Sequence, residues 1–138
     1  MQPLDLSTAR PRKARAAVDG IVFLPRSIDK ARAMLPGGNI ADYTIPGFTE
    51  TMLENFGIGV DDFVAAVRDA STDDDVAAWV RAHAVPGGVD AWIAFATNRE
   101  IYNGDRAEAI ADYPYLADHP ELVYSLDFLD YNEEHGLD

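Results

Sequence analysis

Leu24-Pro25-Arg26-Ser27-Ile28-Asp29-Lys30-Ala31-Arg32-Ala33 is the stretch on which the reading of this chain turns. At about 100° per residue, Leu24, Ile28, Ala31 and Leu35 fall within one narrow apolar stripe, and Arg26, Asp29 and Lys30 fall opposite it. Pro25 suits a first turn, because its φ is already helical and the donor it lacks would have no partner there. Pro36-Gly37-Gly38 cannot carry a helix further. The spacing predicts a helix over 25–35 that buries one side and shows a charged one.

Before this helix, Met1 to Val18 mixes Pro3, Ser7, Thr8 and Pro11 with charge and reads as an extended basic arm (1–18), ordered only by docking. Gly20 to Phe23 fits either a short strand or the apolar stripe continued backwards; the reading taken is an irregular lead-in or a first helical turn. After the helix, a loop containing Tyr43 runs to Pro46-Gly47. Phe48 to Phe56 then forms a short helix, with Phe48, Met52, Leu53 and Phe56 at helical spacing and Gly57 placed as a left-handed cap. Asp61 and Asp62 favour a helix start ahead of Phe63, Val64 and Val67. Ser71 or Thr72, with Asp74 or Asp75, makes a near capping box for a helix burying Val76, Trp79, Val80 and His83.

Pro86-Gly87-Gly88 breaks the chain again, and a longer helix is expected from Val89 to about Tyr102, burying Val89, Trp92, Ile93 and Ala96. Asp105 caps a further helix that Tyr113-Pro114 ends. Asp118-His119-Pro120-Glu121 reads as the cap and first turn of a last helix carrying Leu122, Val123, Leu126 and Leu129, and Asn132 to Asp138 as a frayed acidic tail. With no repeat and no long linker, the fold class is all-α: a compact single domain, 1–138, of six or seven short helices.

The run from Gly20 to Ala33 also resembles the signature of an uncharacterised bacterial family, domain-of-unknown-function family 5069, in the string leucine, proline or alanine, arginine, any residue, isoleucine, aspartate, lysine, alanine, arginine. Other pieces agree in order: Phe56-Gly57-Ile58, Asp73-Asp74-Asp75-Val76 leading to Trp79-Val80, Asn98-Arg99, and Leu126-Asp127-Phe128-Leu129-Asp130. The likeness spans nearly the whole chain, departing between Glu100 and Pro120 and beyond Asp130. It implies a compact bacterial domain and no established activity.

Charge narrows the function classes. Residues 1–32 hold seven basic and three acidic side chains, whereas the rest of the chain holds four basic and 21 acidic ones, within a net charge of −13. A body this acidic repels phosphate backbones, so nucleic acid is not an expected partner, although a local basic face can still hold one small anion. The simplest account of the asymmetry is a basic segment lying across the acidic body. The chain has no cysteine, which excludes thiolate chemistry and thiolate-bound metals. No stretch reaches the roughly 20 apolar residues of a membrane span and no apolar run follows the basic N-terminus, so a cytoplasmic protein without membrane contact is expected.

The residues best suited to chemistry lie on the first helix. Arg26 and Lys30, four apart, are surface neighbours that together could hold a carboxylate or phosphate, with Asp29 orienting one of them. The competing reading is a solvated face with a weak Arg26–Asp29 pair. The resemblance raises the weight of the first, because it is concentrated on polar residues that a core does not need. Candidate catalytic residues are therefore Lys30 and Asp29, and candidate ligand-binding residues are Arg26, Arg32, Tyr43, Asn98 and Arg99. Asp73-Asp74-Asp75 reads as helix capping. Asp127, Asp130 and Glu134 offer at most weak cation binding, and no metal site or cofactor is expected. His83, His119 and His135 are scattered, and Trp79, Trp92, Phe95 and Tyr102 read as core. Two functions follow: binding of an anionic metabolite, with any reaction being cofactor-free acid–base chemistry, or a non-enzymatic module that meets a protein partner or a second copy of itself.

Overall fold

The structure is a computed structural model and describes residues 1–45 and 47–137; Pro46, expected in the loop after the first helix, and Asp138, expected in the tail, lie outside the described residues. Seven α-helices and one two-stranded hairpin are present among them. The chain packs as two compact units, residues 1–93 and 94–138.

In the first unit, β1 (Ala17–Val18) pairs antiparallel with β2 (Ile21–Val22), so the short-strand alternative holds at Ile21 rather than a helical lead-in. The turn between them is Asp19-Gly20, both at positive φ, the backbone that matches the twist of a two-residue hairpin. Helix α1 (Leu24–Ala33) starts from Phe23 at φ 71°, a left-handed conformation that costs a bulky residue of the order of 1 kcal/mol. The ring supplies the compensation: Phe23 is 1% exposed and packs edge-on against Phe48 and Trp92.

Helix α2 (Phe48–Phe56) ends at Gly57 in the expected left-handed cap, and α3 (Val60–Asp69) begins with Asp61 and Asp62 in its first turn. Helix α4 (Asp73–His83) opens on a complete capping box in which Thr72 and Asp75 each satisfy the other's backbone donor. Around α1 the core gathers Leu24, Ile28, Met52, Phe56, Phe63, Val67, Val76 and Val80, all essentially without exposure. Trp92, on α5 (Gly88–Asn98), is fully buried and donates its indole N–H to the Val22 carbonyl at 2.8 Å, which ties that helix to the hairpin.

Several expected core positions differ. Trp79 and Ile93 are only partly buried, while Phe95 and His83 are exposed, because helical spacing fixes which residues share a side and not how far a neighbour covers it. Nor does α5 reach Tyr102. It ends at Asn98, Glu100 pairs with Tyr124 in an isolated bridge, and Tyr102 and Asn103 take positive φ within a 3-10 turn, Ile101–Gly104.

The second unit continues with α6 (Arg106–Asp112), capped by the Asp105 carboxylate, and a second 3-10 turn, Pro114–Asp118. The last helix, α7 (Ser125–His135), has Tyr124 at its N-cap, six residues later than the Asp118 cap predicted from sequence. Tertiary contacts use the backbone in between: the Arg106 guanidinium donates to the carbonyls of Leu116, His119 and Leu122, and the Ile101 and Ser125 amides bond Val123 and Arg99. Residues 132–135 are helical rather than frayed. Asn132 is buried and accepts the Tyr115 hydroxyl, and Gly136 closes the helix in a left-handed cap. Ile101, Ala109, Leu116 and Leu122 form this unit's core, with Tyr113, Tyr115, Phe128 and Tyr131 packed around it.

Candidate functional site

Helix α1 is buried almost all round. Of its ten residues Arg32 alone is not buried, and Arg26, Asp29 and Lys30 are 3%, 4% and 8% exposed. The expected solvated charged side is therefore corrected. Amphipathic spacing distinguished two sides of the helix, but the polar side is covered by the N-terminal arm instead of by water. Leu4 donates to the Arg32 carbonyl, the Arg32 Nε donates to the Gln2 carbonyl, and Leu6 and Ala14 are buried along the way.

The arm delivers Arg12 to this helix. Its backbone N–H donates to Asp29 Oδ2 at 2.8 Å, while its Nε and Nη2 reach the same carboxylate at 3.1 and 3.0 Å. The other side of the guanidinium holds Asp73 of α4, from Nη1 at 2.5 Å and Nη2 at 3.1 Å. Arg26 then donates from Nη1 to the Arg12 carbonyl at 3.1 Å. The expected Arg26–Asp29 surface pair is thus replaced by a relay, in which Asp29 fixes Arg12 and Arg12 fixes Arg26. The hydrogen bond from Arg12 holds the Asp73 carboxyl below the usual carboxylate range, against an opposing effect of partial burial. Arg12 is correspondingly pushed up, first by Asp73 and then by Asp29.

Aromatic rings also flank Arg26 and Lys30. The Arg26 guanidinium carbon lies 5.7 Å from the ring centre of half-buried Tyr43, and Lys30 Nζ lies 5.8 Å from that of Phe23. Both distances suit cation–π attraction. Elsewhere on the same helix the hydroxyls of Ser27 and Thr49, both fully buried, meet at 2.9 Å, and Ser27 Oγ also reaches the Met52 sulfur. A planar guanidinium fork and a compact ammonium on adjacent turns are the donors that carboxylates and phosphates require.

Asn98 and Arg99 belong to the second unit and are exposed. Asn98 Nδ2 donates to the Ala94 carbonyl of its own helix, and Arg99 lies over the Phe95 ring. The same unit holds a row the sequence reading missed: Glu121 Oε1 meets His119 Nδ1 at 2.8 Å, His119 Nε2 meets the Tyr131 hydroxyl at 3.3 Å, and Tyr131 stacks on His135. Asp73 and Asp75 serve the start of α4 as expected, with Arg12 the unforeseen partner of Asp73. Among the described residues, no group of three or more His, Asp or Glu is close enough to hold a metal ion.

Arg12 and Phe23 are the residues that sequence reasoning passed over. The charge asymmetry pointed to the basic segment as a whole and not to Arg12 in particular, whose partners lie 17 and 61 positions away. No curated protein matches the chain. The model of a domain-of-unknown-function family, DUF5069, matches residues 8–135, including the region from Glu100 to Pro120 where the sequence reading found no family pattern. That match begins within the arm and takes in Arg12, the whole of α1 and both compact units, so the chain belongs to the DUF5069 family.

Proposed function

We propose that α1, with the N-terminal arm folded over it, binds a small anion bearing a carboxylate or phosphate. The observation that carries this reading is the burial of Arg26 and Lys30, two cations on adjacent turns of one helix. Cations are costly to remove from water, and side chains that merely solvate a helix face are not held this way. In this reading Arg26 supplies the fork, fixed through the Arg12 carbonyl, and Lys30 supplies a point charge. Tyr43 flanks Arg26, and Arg32 adds a positive field that also reaches Asp73.

Asp29 changes role. Its oxygens accept three donors of Arg12, so within the proposal it positions the site, and any acid–base step falls to Lys30. The reading makes no use of Asn98 or Arg99. A non-enzymatic interaction module would be better served by flat, exposed cations, which Arg26 and Lys30 are not.

Thermal unfolding with inorganic phosphate and with succinate tests the proposal, because a ligand that binds the native state raises its apparent stability. The wild type should shift upward with one of them. Arg26→Lys, which keeps the charge and loses the fork, should weaken binding by about tenfold, and Lys30→Gln by a similar factor. An absence of any shift in the wild type, or an equal shift in both variants, would overturn the reading.

A further inference from the structure

A second concavity lies in the first unit, beside the end of α3 where the Met1 ammonium donates to the carbonyls of Val67, Arg68 and Ala70. Gly57 and Ile58, α3 and the last turns of α4 enclose a groove of about 510 Å³, within the range of roughly 300–1,000 Å³ usual for small-molecule sites. On the α3 side it is lined by Asp62 and Asp69, seven residues and so about 10 Å apart along the helix. Ala65 and Ala66 lie between them and are too short to fill the space. Facing them is Trp79, with the His83 imidazole stacked on its indole at 4.5 Å and tied by Nδ1 to the Trp79 carbonyl at 2.8 Å.

We infer that this groove binds a small organic cation, an amine or guanidine carried on an apolar stem. An aromatic wall opposite carboxylates attracts a cation through the ring face and through charge together. An anion would meet two carboxylates, and a purely apolar ligand would strip them of water without replacing it. Asp69 is already paired with Arg68 at 2.9 Å, on the exposed edge of α3. Asp62 makes no ion pair among the described residues and is the carboxylate open to the cationic head. The stem then lies over Ile58 and the two alanines towards Trp79. This site is independent of the anion reading of α1.

The chain's two tryptophans make the test direct. Trp92 is fully buried and hydrogen-bonded, so a ligand-induced change in tryptophan emission reports Trp79. The full chain is titrated with agmatine and with 1,5-diaminopentane, by fluorescence and by calorimetry. A saturable change with at least one of them is expected. Asp62→Asn should weaken binding by about fivefold or more, whereas Asp61→Asn, which removes the same charge from a neighbour outside the groove, should leave it within about twofold. Trp79→Leu, followed by calorimetry, should weaken it by about fivefold. Failure of both cations to saturate, or equal losses from Asp61→Asn and Asp62→Asn, would overturn the proposal, the latter by showing only general attraction to an acidic chain.

Discussion

Helices α1 and α4 are similar in length and are both rich in charge, yet they are held in opposite ways. Helix α4 is specified within its own first turn: Thr72 and Asp75 close the capping box, and three acidic residues stand where the helix dipole favours them. Helix α1 has no side-chain cap and no acidic residue in its first turn, and it starts from a strained Phe23. Its charges are satisfied at long range, by an arm that the helix itself does not encode. The difference teaches that charge on a helix is legible when its partner is a local backbone group and opaque when the partner arrives from elsewhere in the chain. Arg12 belongs to both cases, since one guanidinium holds Asp29 of α1 and Asp73 of α4.

The largest effect should come from breaking that junction. Arg12→Ala leaves the Asp29 carboxylate, 4% exposed, with only the backbone N–H of residue 12 in place of the guanidinium, frees Asp73 of its partner as well, and should cost about 3–5 kcal/mol in denaturant unfolding. A loss below about 1 kcal/mol would mean that the arm is not what keeps α1 buried. The same junction should give the stability an acid limb. Because Arg12 depresses the Asp73 pKa in the folded state, its stabilisation is complete above the unfolded carboxylate value of about 4 and is lost as pH falls through the folded value. Urea midpoints measured from neutral pH down to about pH 2 should fall less steeply in Asp73→Asn than in the wild type. An unchanged slope would show that other carboxylates set the limb.

Smaller effects are expected where the interactions are local. Thr72→Ala removes one side of the capping box and should cost about 1 kcal/mol by the same denaturant measurement. At the small end, Asp74→Ala affects only an exposed charge near the helix dipole and should cost about 0.5 kcal/mol or less. If Thr72→Ala proved as damaging as Arg12→Ala, the contrast between local and long-range specification would collapse.

Legibility followed the same division along the chain. The extents of α2, α3 and α4 were readable because Gly57, the paired Asp61-Asp62 and Thr72 punctuate the chain with their own chemistry. The second unit was misread at the end of α5 and at the start of α7. There the guanidinium of Arg106 and the bridge between Glu100 and Tyr124 claim backbone groups that a helix would otherwise have used. On α1, Arg26, Asp29 and Lys30 were singled out as candidates from residue type and spacing, but their contact with Arg12 was not legible.

The sequence by itself determined that the chain is mostly helical, where most helices begin and stop, and which residues of α1 share a side. These depend on dihedral preferences, caps and periodicity, all of which act within a few residues. Only the tertiary structure decided that the polar side of α1 is covered, that Asp29 serves Arg12 rather than Arg26, and that Trp79 faces a groove while Trp92 lies in the core. The physical reason is that burial and ion pairing belong to pairs of segments. A residue's own neighbourhood in the chain fixes its direction from the helix axis, and the packing of distant segments fixes what it meets there.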